Sequence, residues 1–187
     1  MPKVIKDVEE TIFEAASKLF GKQGYKNTDM KQIAQKSGIA VGTLYNYYSN
    51  KKSLFLTVFK KSWEHTFLKL DKIIKEEGDP LNKIKKLIRV IYLDVEKRGG
   101  MGSQLLQENI VSEEVVIKTI KEGIFYRLDI LIQEVEKEYN IEIEKSKKDR
   151  LINMLFIAVL AFISEFKGEK EDNFEFIDYF LDKILIK

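Results

Sequence analysis

Apolar residues recur at helical spacing along almost the whole chain, and no segment shows the strict alternation of a half-buried strand. Only two prolines interrupt the pattern, so the sequence constrains the chain to packed helices. The spacing predicts a first helix from about Ile5 to Lys22, with Ile12, Ala15, Ala16, Leu19 and Phe20 inward, ending near Gly24. A long helix starts near Lys51 and is stopped by Gly78, Asp79 and Pro80. A fifth helix carries Leu81, Ile84, Leu87, Ile88 and Ile91 and breaks at Gly99-Gly100-Met101-Gly102. A short helix follows near Ser103 to Ile110, and a seventh runs from Ser112 to Tyr139. The last two span roughly Lys145 to Phe166 and Asn173 to Ile186. The expected fold class is all-α, with about nine helices.

Residues 28–51, TDMKQIAQKSGIAVGTLYNYYSNK, read as two short helices joined by a tight turn. Thr28 is the expected N-cap ahead of Asp29, and Ile33 and Ala34 give the first helix its apolar face. Gly38 stands where a helix end needs left-handed backbone. The second helix starts near Ala40, with Leu44 and Tyr48 spaced for packing. Two helices crossing at a short glycine-containing turn form a helix-turn-helix, whose second member fits the major groove of DNA.

The runs IFEAASKLFGKQGY and IAQKSGIAVGTLYNYYSNKKSLF, between Ile12 and Phe55, resemble the N-terminal domain of the TetR family of transcriptional regulators. The resemblance rests on many positions at fixed spacing, among them Ala15, Phe20, Gly24, Tyr25, Gly38, Gly42, Tyr47 and Lys51, and it covers about the first third of the chain. It implies a three-helix DNA-binding domain, here residues 6–66, and a helical ligand-binding and dimerisation domain, residues 67–187. By the same resemblance Thr28, Lys31, Val41, Gly42, Thr43, Tyr45, Asn46, Tyr47 and Lys51 are expected at the DNA. Lys51 and Tyr47 match positions that hold phosphate, while Thr43 and Tyr45 match residues facing the groove. Lys31 matches a position reaching a guanine edge or the backbone, and Asn46 either touches DNA or caps locally.

Two positions depart from the family pattern. Ala40 replaces the usual Ser-like N-cap, a loss of about 1 kcal/mol, and Val41 replaces a polar or basic side chain. Both make the groove face less polar and shift the expected readout towards thymine methyls, DNA shape and an A·T-containing half-site.

Charge distribution agrees. Up to Lys61 there are eleven lysines and five acidic residues, or +6, which leaves −4 for the remainder of a chain whose net charge is +2. A basic head on an acidic body suits a reader of phosphate-rich duplex. The absence of cysteine excludes disulfides and thiolate metal sites and fits a cytoplasmic setting, and MPKVIKDVEETIF has charges where a secretory leader needs an apolar run.

Leu151 to Ile163, LINMLFIAVLAFI, is apolar on nearly every face but too short for an ordinary membrane span. A helix apolar all round must be covered all round, here by its own core and a second subunit. With the final helix it makes the expected four-helix interface of a homodimer, whose DNA target is an inverted repeat. The resemblance also implies a pocket in the body, with Trp63, Phe67, Tyr92, Met101, Phe125, Tyr126 and Phe156 as candidate lining for a hydrophobic small-molecule effector. Gln107, Glu108 and Arg127 offer polar contacts, and the glycines at 99, 100 and 102 are expected to form a pliable turn over the pocket. Aromatic residues at helical spacing also serve as plain core.

Enzymatic chemistry finds no support. His65 is the only histidine, no metal spacing or phosphate loop occurs, and neither a cofactor nor a membrane partner is expected. The rival reading is a helical small-molecule carrier or scaffold with a vestigial DNA-binding head.

Overall fold

The computed structural model describes residues 7–107 and 113–185, all of whose regular structure is helical. The helices are α1 (Val8–Gln23), α2 (Met30–Ser37), α3 (Val41–Tyr47), α4 (Lys51–Ile74), α5 (Pro80–Lys97), α6 (Met101–Gln107), α7 (Glu113–Glu138), α8 (Lys145–Glu165) and α9 (Lys170–Leu185). Chain contacts divide them into two compact units, residues 1–64 with 97–115, and residues 65–96 with 116–187.

Local chemistry sets the boundaries in the first unit. Asp7 caps α1 by accepting the N–H of Glu10 at 3.0 Å. Gly24, at φ 84°, ends the helix and donates its N–H to the Phe20 carbonyl. Ile12, Ala16 and Phe20 are completely buried on one stripe, joined by Leu54 and Phe55 of α4. The Phe20 and Phe55 rings meet edge to face, 4.7 Å apart. Asn50 caps α4 through the N–H of Ser53 at 2.9 Å, and Lys61 on the same helix pairs with Glu10 at 2.6 Å.

The corner between α5 and α6 is close-packed. Gly99 adopts φ 56°, and a Cβ there would fall 2.0 Å from the Gly21 carbonyl oxygen of α1. No side chain fits in that gap. The expected pliable turn is therefore a backbone-to-backbone seam, and Met101, which opens α6, is 1% exposed.

In the second unit, α4 and α7 are tied by the Arg127 guanidinium, two of whose N–H groups reach the two oxygens of Asp71 at 2.8 and 2.9 Å. Phe67 fits where α7 has Gly123 in place of a side chain. Lys83 caps the end of α4 through the Ile74 and Glu76 carbonyls and pairs with Glu134. Asp79 caps α5 ahead of Pro80, through the Asn82 N–H at 2.7 Å.

Candidate nucleic-acid interface

The helix-turn-helix is held by its caps. Asp29, rather than Thr28, is the N-cap of α2. Its carboxylate accepts the Gln32 N–H at 2.8 Å, and the Gln32 side chain accepts the Asp29 N–H at 3.0 Å. The Thr28 side chain is turned inward, 1% exposed, and donates its hydroxyl to the Gly24 carbonyl at 2.7 Å. Thr28 is thus a fastener of the α1–α2 turn, and its hydroxyl is not offered to a ligand. The Asp-x-x-Gln spacing carried the signal for this capping box.

Gly38 closes α2 at φ 69°, ψ 26°, with nothing within 4 Å of a Cβ built there. Ala40 then opens α3 without any side-chain cap, as its methyl dictates. Leu44 is the buried residue of α3, and Ile33 and Ala34 of α2 are likewise sealed from solvent. The other side of α3 is open: Val41, Gly42, Tyr45, Asn46 and Tyr47 are exposed and Thr43 is half-buried. Tyr45 and Tyr47 each leave nearly half their surface to water. No carboxylate stands on α3, and the exposed lysines 18, 22, 26, 31, 36 and 52 surround it in sequence. Burial, followed by the nearby Glu9 carboxylate, pushes the Tyr48 phenol above its ordinary range.

Lys51 is partly enclosed. Its ammonium donates to the Tyr25 carbonyl at 2.8 Å and the Thr28 carbonyl at 2.9 Å, and sits 4.2 Å from the Tyr25 ring centroid. Two of its three N–H donors thereby fasten the start of α4 to the α1–α2 turn, leaving one. Gln104 of α6 reaches the same turn, its side-chain oxygen accepting the Tyr25 N–H at 2.7 Å. No local pattern announces Gln104, because the contact joins residues 79 apart.

The aromatic positions expected to line a pocket are dispersed. Trp63 and Met101 are buried in the first unit, Trp63 beneath the Arg98 guanidinium at 4.0 Å. Tyr92 is core, edge to face with Phe174 at 5.0 Å and accepting from the Asn173 amide at 3.0 Å. Phe67 packs under Arg127 at 4.5 Å, while Phe125 and Phe156 are half-buried. Tyr126 is 67% exposed, a surface residue and no part of an enclosed lining, because it falls on the outer side of α7. Arg127 is engaged by Asp71, and Glu108 and the Gln107 side chain lie outside the described residues. No described helix is long and apolar enough to cross a membrane, and no group of metal-binding side chains occurs among the described residues.

A capped α2, a tight left-handed turn and an exposed, carboxylate-free α3 on a lysine-rich head define a helix-turn-helix DNA-binding protein. Residues 12–58 match the family described as bacterial regulatory proteins, tetR family. The helix-turn-helix region of the chain is thus that of the TetR family of transcriptional regulators.

Among its relatives, Bacillus subtilis YuxN, an uncharacterized HTH-type transcriptional regulator, is 29% identical over 113 residues, 59% of this chain and 39% of YuxN. The chain thus spans about two fifths of that relative's length. An HTH-type transcriptional regulator of Staphylococcus aureus is 25% identical over 162 residues, 87% of this chain and 85% of that one. The fold is shared with the transcriptional regulator FadR of Bacillus subtilis, solved in complex with stearoyl-CoA. That likeness has a TM-score of 0.72 and 19% identity, covering 95% of this chain and 97% of that one.

Proposed function

We propose that this protein is a ligand-responsive repressor: a homodimer that binds an inverted-repeat operator through α2 and α3 and releases it when a hydrophobic small molecule occupies the body. The observation that carries the reading is the open face of α3, with Leu44 alone seating the helix and Val41, Tyr45, Asn46 and Tyr47 left to solvent. Residues 6–66 form the DNA-binding part and 67–187 the ligand-binding and dimerisation part. Lys31, Val41, Gly42, Thr43, Tyr45, Asn46, Tyr47 and Lys51 supply the DNA contacts.

Dimerisation is supported by a set of exposed apolar side chains in the second unit. Met154, Ile157 and Leu160 of α8, with Phe176, Tyr179 and Ile184 of α9, are all more than 40% exposed. An effector of apolar character is supported by the half-buried Phe125 and Phe156, and by the fatty acyl thioester held by the FadR relative in fold. Effector and operator are coupled thermodynamically: the ligand prefers the conformation whose paired α3 helices no longer match successive grooves.

Selection from random duplex DNA, followed by titration at several salt concentrations, tests the reading. A recovered inverted repeat with steep salt dependence, lost on adding a long-chain acyl-CoA or another apolar ligand, is the expected result. Ligand affinity without preference for any duplex identifies a carrier and overturns it.

A further inference from the structure

The outermost point of α3 is occupied by a residue the protein itself has no need of. At about 100° per residue, the direction opposite buried Leu44 falls between Gly42 and Asn46, with Tyr45 and Thr43 on the two flanks. Gly42 lies inside the helix, and its φ is not positive. A Cβ built on it meets nothing within 4 Å. Neither turn geometry nor close packing asks for glycine there, although glycine is among the weakest helix formers and alanine the strongest. What glycine gives at an exposed apex is approach: a partner from outside can touch the helix backbone.

We propose that α3 reads its half-site without a charged side chain. Gly42 lets the helix backbone sink to the floor of the major groove, where Asn46 recognises an adenine and the methyls of Val41 and Thr43 meet thymine. The residue chemistry decides the bases. Guanine is read most often by an arginine or lysine fork, and α3 contains neither. Asn46 is the only amide on the helix, and an amide pairs with both N6 and N7 of adenine. One turn separates it from Gly42, so the short Asn side chain reaches a base edge only if the backbone above it comes close. This inference rests on the proposed operator binding.

The test uses the full-length protein, its selected operator, and two variants. Gly42→Ala is expected to raise the melting temperature, since alanine is the better helix former and its methyl has room, yet to weaken operator binding at least tenfold. A merely structural glycine cannot produce those opposite signs. Asn46→Ala is expected to lose discrimination at one A·T pair, and 7-deazaadenine at that pair should weaken wild-type binding without weakening Asn46→Ala further. An operator with only G·C under α3, or Gly42→Ala binding with unchanged affinity, overturns the inference while leaving operator binding standing. A wild-type protein that prefers no duplex overturns operator binding itself, and this inference with it.

Discussion

The side-chain oxygen of Gln104 accepts the backbone N–H of Tyr25 at 2.7 Å, on the turn whose carbonyls hold Lys51. One peptide segment is therefore held by α6 on one side and by the start of α4 on the other. Gln104→Leu leaves a partly buried N–H without its acceptor and should cost about 1–2 kcal/mol in denaturant unfolding. Gln104→Glu keeps an acceptor and should recover most of it. Faster amide exchange at Tyr25 in the Leu variant, with other α1 amides unchanged, locates the effect.

Lys51 fastens the α1–α2 turn, and salt separates that role from the phosphate contact we propose for it. Lys51→Met removes both carbonyl contacts and should lower stability by about 1–3 kcal/mol. If the third N–H meets phosphate, as we propose, binding weakens for every sequence and the salt slope falls by about 0.9. A destabilised protein with an unaltered slope would assign Lys51 to the turn alone.

How much of this was legible beforehand differs by element. The helices were readable because their apolar residues recur at helical spacing and local residues bound them, as with Gly24, Gly38, and Asp79 before Pro80. Uncapped Ala40 and the left-handed Gly38 were readable for the same reason. Thr28 was misread because Thr and Asp are both good caps and stand side by side; burial decided between them. The Gly99 seam and the Gln104 contact were out of reach, since their partners, Gly21 and Tyr25, lie far away in the chain. The aromatic side chains proved ambiguous as a class: Tyr92 has the sequence context of a pocket wall but the surroundings of core.

The α8–α9 row predicts its own test. Ile157→Glu, in a side chain 54% exposed within one protomer, should leave the protomer's helicity intact. In a two-fold interface the charge enters twice, each copy costing about 2 kcal/mol or more if it lands at a hot spot. Sedimentation at micromolar concentration should change from dimer to monomer; an unaltered dimer would move the interface elsewhere.

Glu136 links α7 to the approach to α8, accepting from Lys148 at 2.6 Å and from the Ile143 N–H at 2.7 Å. Burial opposes its charge, but these two hydrogen bonds and the Lys148 charge outweigh it and hold the carboxyl below its ordinary 4.5. A depressed folded value means the stabilisation is complete above the unfolded pKa and fades as pH falls through the folded one. Glu136→Gln should therefore be less stable at neutral pH, and its deficit should shrink below pH 4.5. Paired urea titrations across that range measure the difference.

Gly99→Ala meets both a left-handed backbone and the Gly21 carbonyl, and should cost about 3 kcal/mol or more. Gly38→Ala, at a similar φ but with open space, isolates the backbone share at about 1 kcal/mol. Equal losses in the two variants would remove the seam as a source of stability.

The unit containing the helix-turn-helix is assembled from two stretches of chain, 1–64 and 97–115. A nascent chain that has emerged only to Glu64 carries α1 to α3 but not yet Gly99 or Gln104, and more than thirty residues must follow before the missing piece arrives. Closing that long loop costs entropy that no contact offsets until it is shut. The order of synthesis thus sets an order of completion: the unit that carries the helix-turn-helix is begun before the second unit, must wait for residues 97–115, and has all its residues before the second unit receives its last stretch, 116–187.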